Sequence, residues 1–588
     1  MRCQRSNLVL SVLVLSLLAI SLVVAPAEAQ TTEPIFTVHL SIDAESDIQL
    51  KMATSVREEM AKIGVDVQIE SVEGETLDNI QYSEEGFKTF EDGGYDISFA
   101  LWWWWPTDYV WFEGCWTASG EIPLGWNFMH WSNGEADMYL RAGMSTYNLT
   151  ERETNLKAWQ QVFMDDVPVV LIYWPVTFQL TDATLKGADA VMWTHNIHQW
   201  SVEGKTAADE VTIRYAAPSE TRMLNPLFMD GGWAHLEPQF RPLFHQVAQP
   251  DGSYKMEPAM AASYETSPDG LTVTIHLRKG VTWHDGKSFS ANDVKMTFDA
   301  VLDPDTGASM HGDFASAVES INIVDEDTIS LKLISVAPHL INMLTSGTLC
   351  ILPSHVLKSV PHADWRTHDT NTIAPAPGTG PYKFVEWKKD QYMTLEAFDN
   401  YFAGRPFVDR VILTIIPEAT TALAALEAHE VDALHPGFSD DLLTEIPRLQ
   451  TLTDIGVTEF QAPAIQFLAF NLKHPILSNK FVRKAFASAI NYQHIIDDFM
   501  EGFAQKANSP VPPYWFAHNP DVIPYEYDLE QAAAYLEKAG YKPPKPPVTV
   551  VTTVTAVPEL LPRGVLLGLF FITIVIIYRD RIQGKKRR

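Results

Sequence analysis

The sequence predicts an α/β protein of more than one lobe. Three observations carry this: a βαβ unit near the amino end, a strand, hairpin and capped helix near the middle, and a length of 588 residues, too great for a single compact core. In the first unit Ile35 to Leu40 alternate as a strand. Residues 49–63 then place Leu50, Ala53, Met60 and Ile63 at helical spacing, Gly64 closes the helix, and Val65, Val67 and Ile69 begin a second strand. A right-handed crossover makes the two strands parallel. Farther on, the spacing predicts a helix over 151–164, an apolar strand over 167–174 and another strand over 211–215. From Leu271 to Leu277 apolar residues alternate with polar ones, the pattern of a strand with one buried face. Lys279-Gly280 and Asp285-Gly286 are turn signals. Ser290 with Asp293 marks a helix start, Val294, Phe298 and Leu302 share its face, and Asp303-Pro304 ends it.

Hydrophobic residues make up 46% of the chain and charged residues 20%, the composition of a folded protein. The net charge of −31 excludes a nucleic-acid binder, because nothing would neutralise phosphates, and otherwise speaks for solubility. Three cysteines are too few for a disulfide scaffold; Cys115 and Cys350 read as two buried thiols, a bridge between them being the alternative. Both ends carry targeting signals. Arg2 and Arg5 precede an apolar run from Leu8 to Val24, and Ala27-Glu28-Ala29 offers a cleavage site, so 1–29 reads as a secretory signal peptide. Leu560 to Tyr578 is apolar apart from Pro562 and Arg563 and is followed by a basic run, so 558–579 reads as a single-pass transmembrane anchor and 580–588 as a cytoplasmic tail. The body then sits outside the cell, on a stiff Pro/Val/Thr linker at 542–557. Asn148-Leu149-Thr150 is a glycosylation sequon.

HLRKGVTWHDGKSFSANDV from His276 resembles the signature segment of the family 5 extracytoplasmic solute-binding proteins, the peptide, nickel and oligosaccharide receptors of ABC importers. Further blocks follow in the family's order: GTGPYKFVEW from Gly378, DNYFAGRPFVDRV from Asp399, TTALAALEAHEVDAL from Thr420, FNLKHPILSNKFVRKAFASAIN from Phe470 and YDLEQAAAYLEKAGY from Tyr527. The resemblance covers 210–541 and implies a two-lobed periplasmic-binding-protein-like fold of type II, with an extra subdomain. In the family the LEKAGY helix is followed by a strand, a helix ending in KIG, a strand, YD and a tryptophan-bearing turn. Here that material comes first, at 30–205, so the chain resembles a circular permutation of the family fold; a tandem pair that lost its middle is the alternative. On this reading 30–205 and 206–377 build lobe I with the extra subdomain, 378–510 forms lobe II, and 511–541 returns to lobe I.

The resemblance places the ligand between the lobes, and the site residues follow from it. Trp102 falls where the family has a tryptophan; three residues on, peptide receptors often carry an Asp for the ligand's amino group, and here that position is Trp105. The nearest acid is Asp108. Trp102, Trp103, Trp104 and Trp105 offer flat faces for sugar rings or apolar side chains, or serve in part as core at a strand end. Asn127, Trp131, Tyr382, Trp387, Phe470 and Asn471 are placed by analogy with cleft-lining segments, Asn471 with a turn cap as its plainer role. His195 and His198 share a helical turn but lack a third ligand, so no metal is expected, and no cofactor. No GxSxG, HExxH or P-loop pattern points to an enzyme. The implied partners are a peptide or oligosaccharide, an ABC permease with its ATPase subunits, and the membrane. A surface sensor reusing the fold is the alternative.

Overall fold

The computed structural model describes residues 33–103, 112–122, 125–188, 194–228, 236–248 and 254–544. The signal peptide, most of the linker, the anchor at 558–579 and the tail lie outside these residues, as do Trp104, Trp105 and Asp108. Among the described residues no helix is long and apolar enough to cross a membrane.

Among the described residues twelve strands form the main sheet: β1 (Phe36–Asp43), β2 (Val65–Val72), β3 (Ile97–Trp103), β4 (Val169–Asp182), β5 (Thr212–Ala217), β6 (Tyr382–Lys388), β7 (Tyr392–Ala397), β8 (Arg410–Ile415), β9 (Ala433–Leu434), β10 (Ile455–Gln461), β11 (Ala464–Phe470) and β12 (Ala504–Lys506). Their order is β6-β7-β8-β5-β9-β4-β11-β3-β1-β2, with β10 and β12 also paired to β4. The βαβ unit is present: β1 and β2 pair in parallel from Phe36 opposite Val65, joined by α1 (Asp47–Ala61), whose first turn is capped by the Ser46 hydroxyl. The buried stripe of α1 is Met52, Ala53, Val56 and Met60. Leu50, expected on that face, is 47% exposed; it stands two residues from Met52, about 200° round the helix.

The strand expected at 167–174 continues through Pro175 to Asp182, and α2 (Leu149–Asp166) precedes it, capped by the Asn148 side chain. The central segment forms a separate four-stranded antiparallel sheet of Ala261–Thr266, Thr272–Leu277, Thr328–Leu333 and Val318–Asp325. Val273, Ile275 and Leu277 point inward with Val294, Phe298 and Val301 of α3 (Ala291–Leu302), forming a core of their own. Leu302, expected on that face, is only partly buried.

Pairing divides the chain differently from the lobes read in the sequence. β5 lies between β8 and β9, so 211–217 and 382–434 share one half of the sheet. β3 pairs with β11, so 36–103 shares the other half with 464–470. That half is backed by α4 (Lys480–Ala489) and α5 (Leu529–Lys538), which pack on each other, and α1 reaches α4. Periodicity marks a strand but does not name its partner, which is why 378–510 read as one unit. The ring of Tyr541, just past α5, lies 5.0 Å from that of Phe36 at the start of β1. Cys115 and Cys350 are both buried free thiols, and burial pushes both upward in pKa.

Candidate ligand-binding cleft

Strand directions point to a candidate cleft. β11 runs antiparallel to both β3 and β4, so β3, and with it β1 and β2, runs the same way as β4. β9 is antiparallel to β4 and parallel to β5, which is parallel to β8. Since β4 starts in one half and ends in the other, the carboxyl ends of β1–β3 and those of β5, β8 and β9 point at each other across the crossing. Ligands of open α/β sheets bind beyond such carboxyl ends. The floor is the crossing itself. β4 passes through Trp174–Val176 and the chain returns from β10 to β11 through Gln461–Ala464. The carbonyl of Pro175, a residue with no N–H of its own, accepts from Ala462 N–H at 3.0 Å and from the Gln461 amide at 2.7 Å.

On one bank the loop after β9, His435 to Asp441, is fixed to β4. Thr177 Oγ1 donates to Ser439 Oγ at 2.8 Å, and Phe178 N–H donates to the same oxygen at 3.0 Å. His435 Nδ1 accepts from Gly437 N–H at 2.9 Å, so that nitrogen is unprotonated, and burial holds the ring neutral with a pKa of about 4. Asp440 is exposed. Desolvation by the nearby protein, and then the like charge of Asp441, raises its carboxyl above the ordinary range. Tyr173, 4% exposed on β4, has its phenol pushed up by burial and then by the charge of Asp440. These three residues escaped the sequence reading. The signal was there in HPGFSDD, a loop with a histidine and acids directly after a buried strand.

On the other bank β3 ends at Trp103, paired with Ala464. Trp102 is half-buried: Nε1 donates to Tyr82 Oη at 3.0 Å, and its ring lies 5.0 Å from Trp116, 5.0 Å from Phe467 and 5.8 Å from Phe128. The other named residues hold internal places. The Asn127 amide donates to the carbonyls of Thr117 and Trp131; Trp131 is buried, with Nε1 donating to Asp166 at 2.7 Å. Phe470 packs against Phe486 in the core. The Asn471 amide reaches the carbonyls of Gly86, Lys88 and Tyr95, and its oxygen accepts from Lys473 N–H, the turn-cap role. Tyr382 and Trp387 stand on β6, the strand farthest from β4 in that half; Tyr382 is buried and Trp387 takes Lys389 over its ring at 5.4 Å. The structure thus brings Trp102 together with the aromatic core behind β3, and leaves Tyr382 and Trp387 at the sheet's edge. His198 lies against the Tyr401 ring at 5.5 Å, and among the described residues no group of three or more His, Cys, Asp or Glu is placed to hold a metal.

The chain is 30% identical over 306 residues to the oligopeptide-binding protein AppA of Bacillus subtilis, covering 51% of this chain and 54% of the relative. It is 32% identical over 308 residues to heme-binding protein A of Haemophilus influenzae, covering 49% and 55%. It thus spans about half the length of these curated relatives. Among solved structures, that of AppA from Bacillus subtilis with a nonapeptide aligns at 24% identity and a TM-score of 0.46, over 56% of this chain and 64% of that one. The model for bacterial extracellular solute-binding proteins, family 5 Middle, matches residues 255–561, just over half of the chain. Together with the motif blocks in register, that match establishes that the chain belongs to the family 5 bacterial extracellular solute-binding proteins.

Proposed function

We propose that the protein is the extracytoplasmic receptor of an ABC importer, held to the membrane by its carboxyl-terminal segment, that captures an oligopeptide or oligosaccharide between two closing halves and presents it to the permease. The observation that carries this reading is the pair of facing strand ends around a narrow crossing. Two halves joined by few strands can rotate about the join, and burying a ligand between them favours the closed state. Energy for transport comes from the separate ATPase subunits. The contact of Tyr541 with Phe36 supports the circular-permutation reading, because the family's order runs from the one directly into the other.

The test is a thermal-shift screen of the body, residues 30–547, against short peptides, oligosaccharides and nickel with histidine. A ligand at a hundredfold its Kd stabilises the folded state by about 2.7 kcal/mol, so a rise of the melting temperature with at least one class is expected. A cooperative melt that none of them moves would count against capture and favour a sensor.

A further inference from the structure

The separate four-stranded sheet and α3 carry a groove that capture in the cleft does not use. Its cavity measures about 570 Å³, within the roughly 300–1,000 Å³ of small-molecule sites. One wall is the turn through Lys287 and Ser288 that leads into α3; another is the segment 354–362, which begins with the helical turn Ser354–Leu357. The walls are pinned to each other. His355 Nε2 lies 2.8 Å from Asp285 Oδ2, Asp293 Oδ1 accepts from Ser354 N–H at 2.8 Å, and His362 Nδ1 lies 2.7 Å from Asp303 Oδ2, just past the end of α3. A groove fixed in this way loses little freedom when a ligand enters.

Its charge runs against that of the molecule. In a chain of net charge −31, the groove is lined by Lys287, Lys295 and Lys358 together with His355 and His362. The acids on and around it are already engaged. Asp293 accepts from Ser290 N–H and Ser354 N–H, one on each oxygen, and Asp299 takes Lys295 on both oxygens, at 2.9 and 2.8 Å. Asp303 faces His362, and Asp285 faces His355 while accepting from Lys287 N–H. Lys287 and Lys358 are exposed, and among the described residues neither ammonium group has a hydrogen bond or an ion pair. Two uncompensated positive charges therefore line one cavity.

We propose that this groove binds a phosphate monoester, held by the ammonium groups of Lys287 and Lys358, at a site separate from the cleft. A lysine is a compact point charge that suits a tetrahedral phosphate, whereas a planar carboxylate is matched by the fork of an arginine. No arginine is among the described residues that line the groove. Ser288 and Asn292 bring further donors, and Met296 and Ile323 offer apolar surface to the rest of the ligand. Every lining residue lies between 287 and 362, outside the strands and loops of the cleft.

The full chain in a neutral detergent is titrated calorimetrically with glycerol 3-phosphate and with dihexanoyl phosphatidic acid, which carry the same group free and on a lipid; succinate and glycerol are the controls. The expected result is saturable binding of glycerol 3-phosphate that weakens as salt rises. It should be about threefold weaker in Lys287→Gln or Lys358→Gln, about tenfold weaker in the double variant, and unchanged in Lys389→Gln. Both groove lysines are exposed, so the double variant should keep the wild-type melting temperature. Binding of phosphatidic acid alone, lost in the double variant, supports the site and assigns it to a lipid headgroup. Binding of neither phosphate, succinate bound as tightly as glycerol 3-phosphate, or undiminished binding by the double variant overturns the proposal and leaves capture in the cleft as it stands.

Discussion

His284 is tied by two bonds that ask for one protonation state. Its Nδ1 accepts from Gly378 N–H at 3.2 Å and its Nε2 faces the Gly380 carbonyl at 2.9 Å, so only the neutral ring with the proton on Nε2 makes both. Burial lowers its pKa to about 4. In the unfolded chain the ring takes up its proton near the ordinary value of about 6.5. The stability it contributes is therefore intact above pH 6.5, erodes as pH falls from 6.5 towards 4, and is lost without further change below that. His435 adds a change of the same sign. Urea midpoints measured across this window should fall with pH in the wild type and fall less steeply in His284→Asn; equal slopes would disprove the assignment. The two motifs that meet here, WHDG and GTGPY, were legible as separate blocks. Their contact was not, since 94 residues separate His284 from Gly378. The glycines themselves follow from it: a Cβ on Gly378 or Gly380 would run into the carbonyls of Gln239 and Pro238.

Among the elements, α3 shows how far local reading goes. Ser290 and Asp293 announced the helix start, and Asp293 does accept from Ser290 N–H at 2.8 Å. Its other oxygen accepts from Ser354 N–H, also at 2.8 Å, a bond between segments 61 residues apart that no local pattern reveals. Asp293→Ala removes a buried carboxylate and leaves the N–H groups of Ser290 and Ser354 without their acceptor, which should cost about 3 kcal/mol, read from denaturant midpoints; a loss below about 1 kcal/mol would mean an ordinary exposed cap. β4 taught the converse. Its second half, Val176 to Asp182, alternates apolar and polar residues as a strand should, yet lies beyond the apolar run at 167–174 that marks the strand in the sequence. The polar positions are not solvent-facing: Gln179 donates to the Leu434 carbonyl at 2.6 Å and Thr177 to Ser439, so the alternation records a loop packed on one side. Asn471 and Trp131 belong to segments that match the cleft-lining ones; which atoms they bond depends on chain brought from 385 residues away for Asn471 and 35 for Trp131.

For the molecule as a whole, the separate four-stranded sheet touches the helices packed behind β3 and β11. Tyr147, between Gly134–Met144 and α2, lies against the turn at Gly270 of the separate four-stranded sheet, so close that a methyl on Gly270 would sit 3.2 Å from its ring. Gly270 takes a φ of +70°, open to glycine and strained for other residues. This contact touches no cleft residue; on the proposed capture reading it bears on the balance between open and closed forms. Tyr147→Ala should weaken capture severalfold, by a faster off-rate, and enlarge the radius of gyration seen by small-angle scattering in the presence of ligand. Unchanged values of both would mean that the turn has no part in closure.

The sheet order has a consequence in time. β11 is sandwiched between β3 and β4, yet it follows the end of β4 by 282 residues, from Asp182 to Ala464. At roughly 5–20 residues per second of synthesis, the earlier pair waits about a quarter of a minute to a minute for the strand that joins them. Until then β3 and β4 each present an open edge, the template on which strands of other chains add. Those open edges are a hazard for the nascent protein, and its refolding in vitro should become less efficient as its concentration rises.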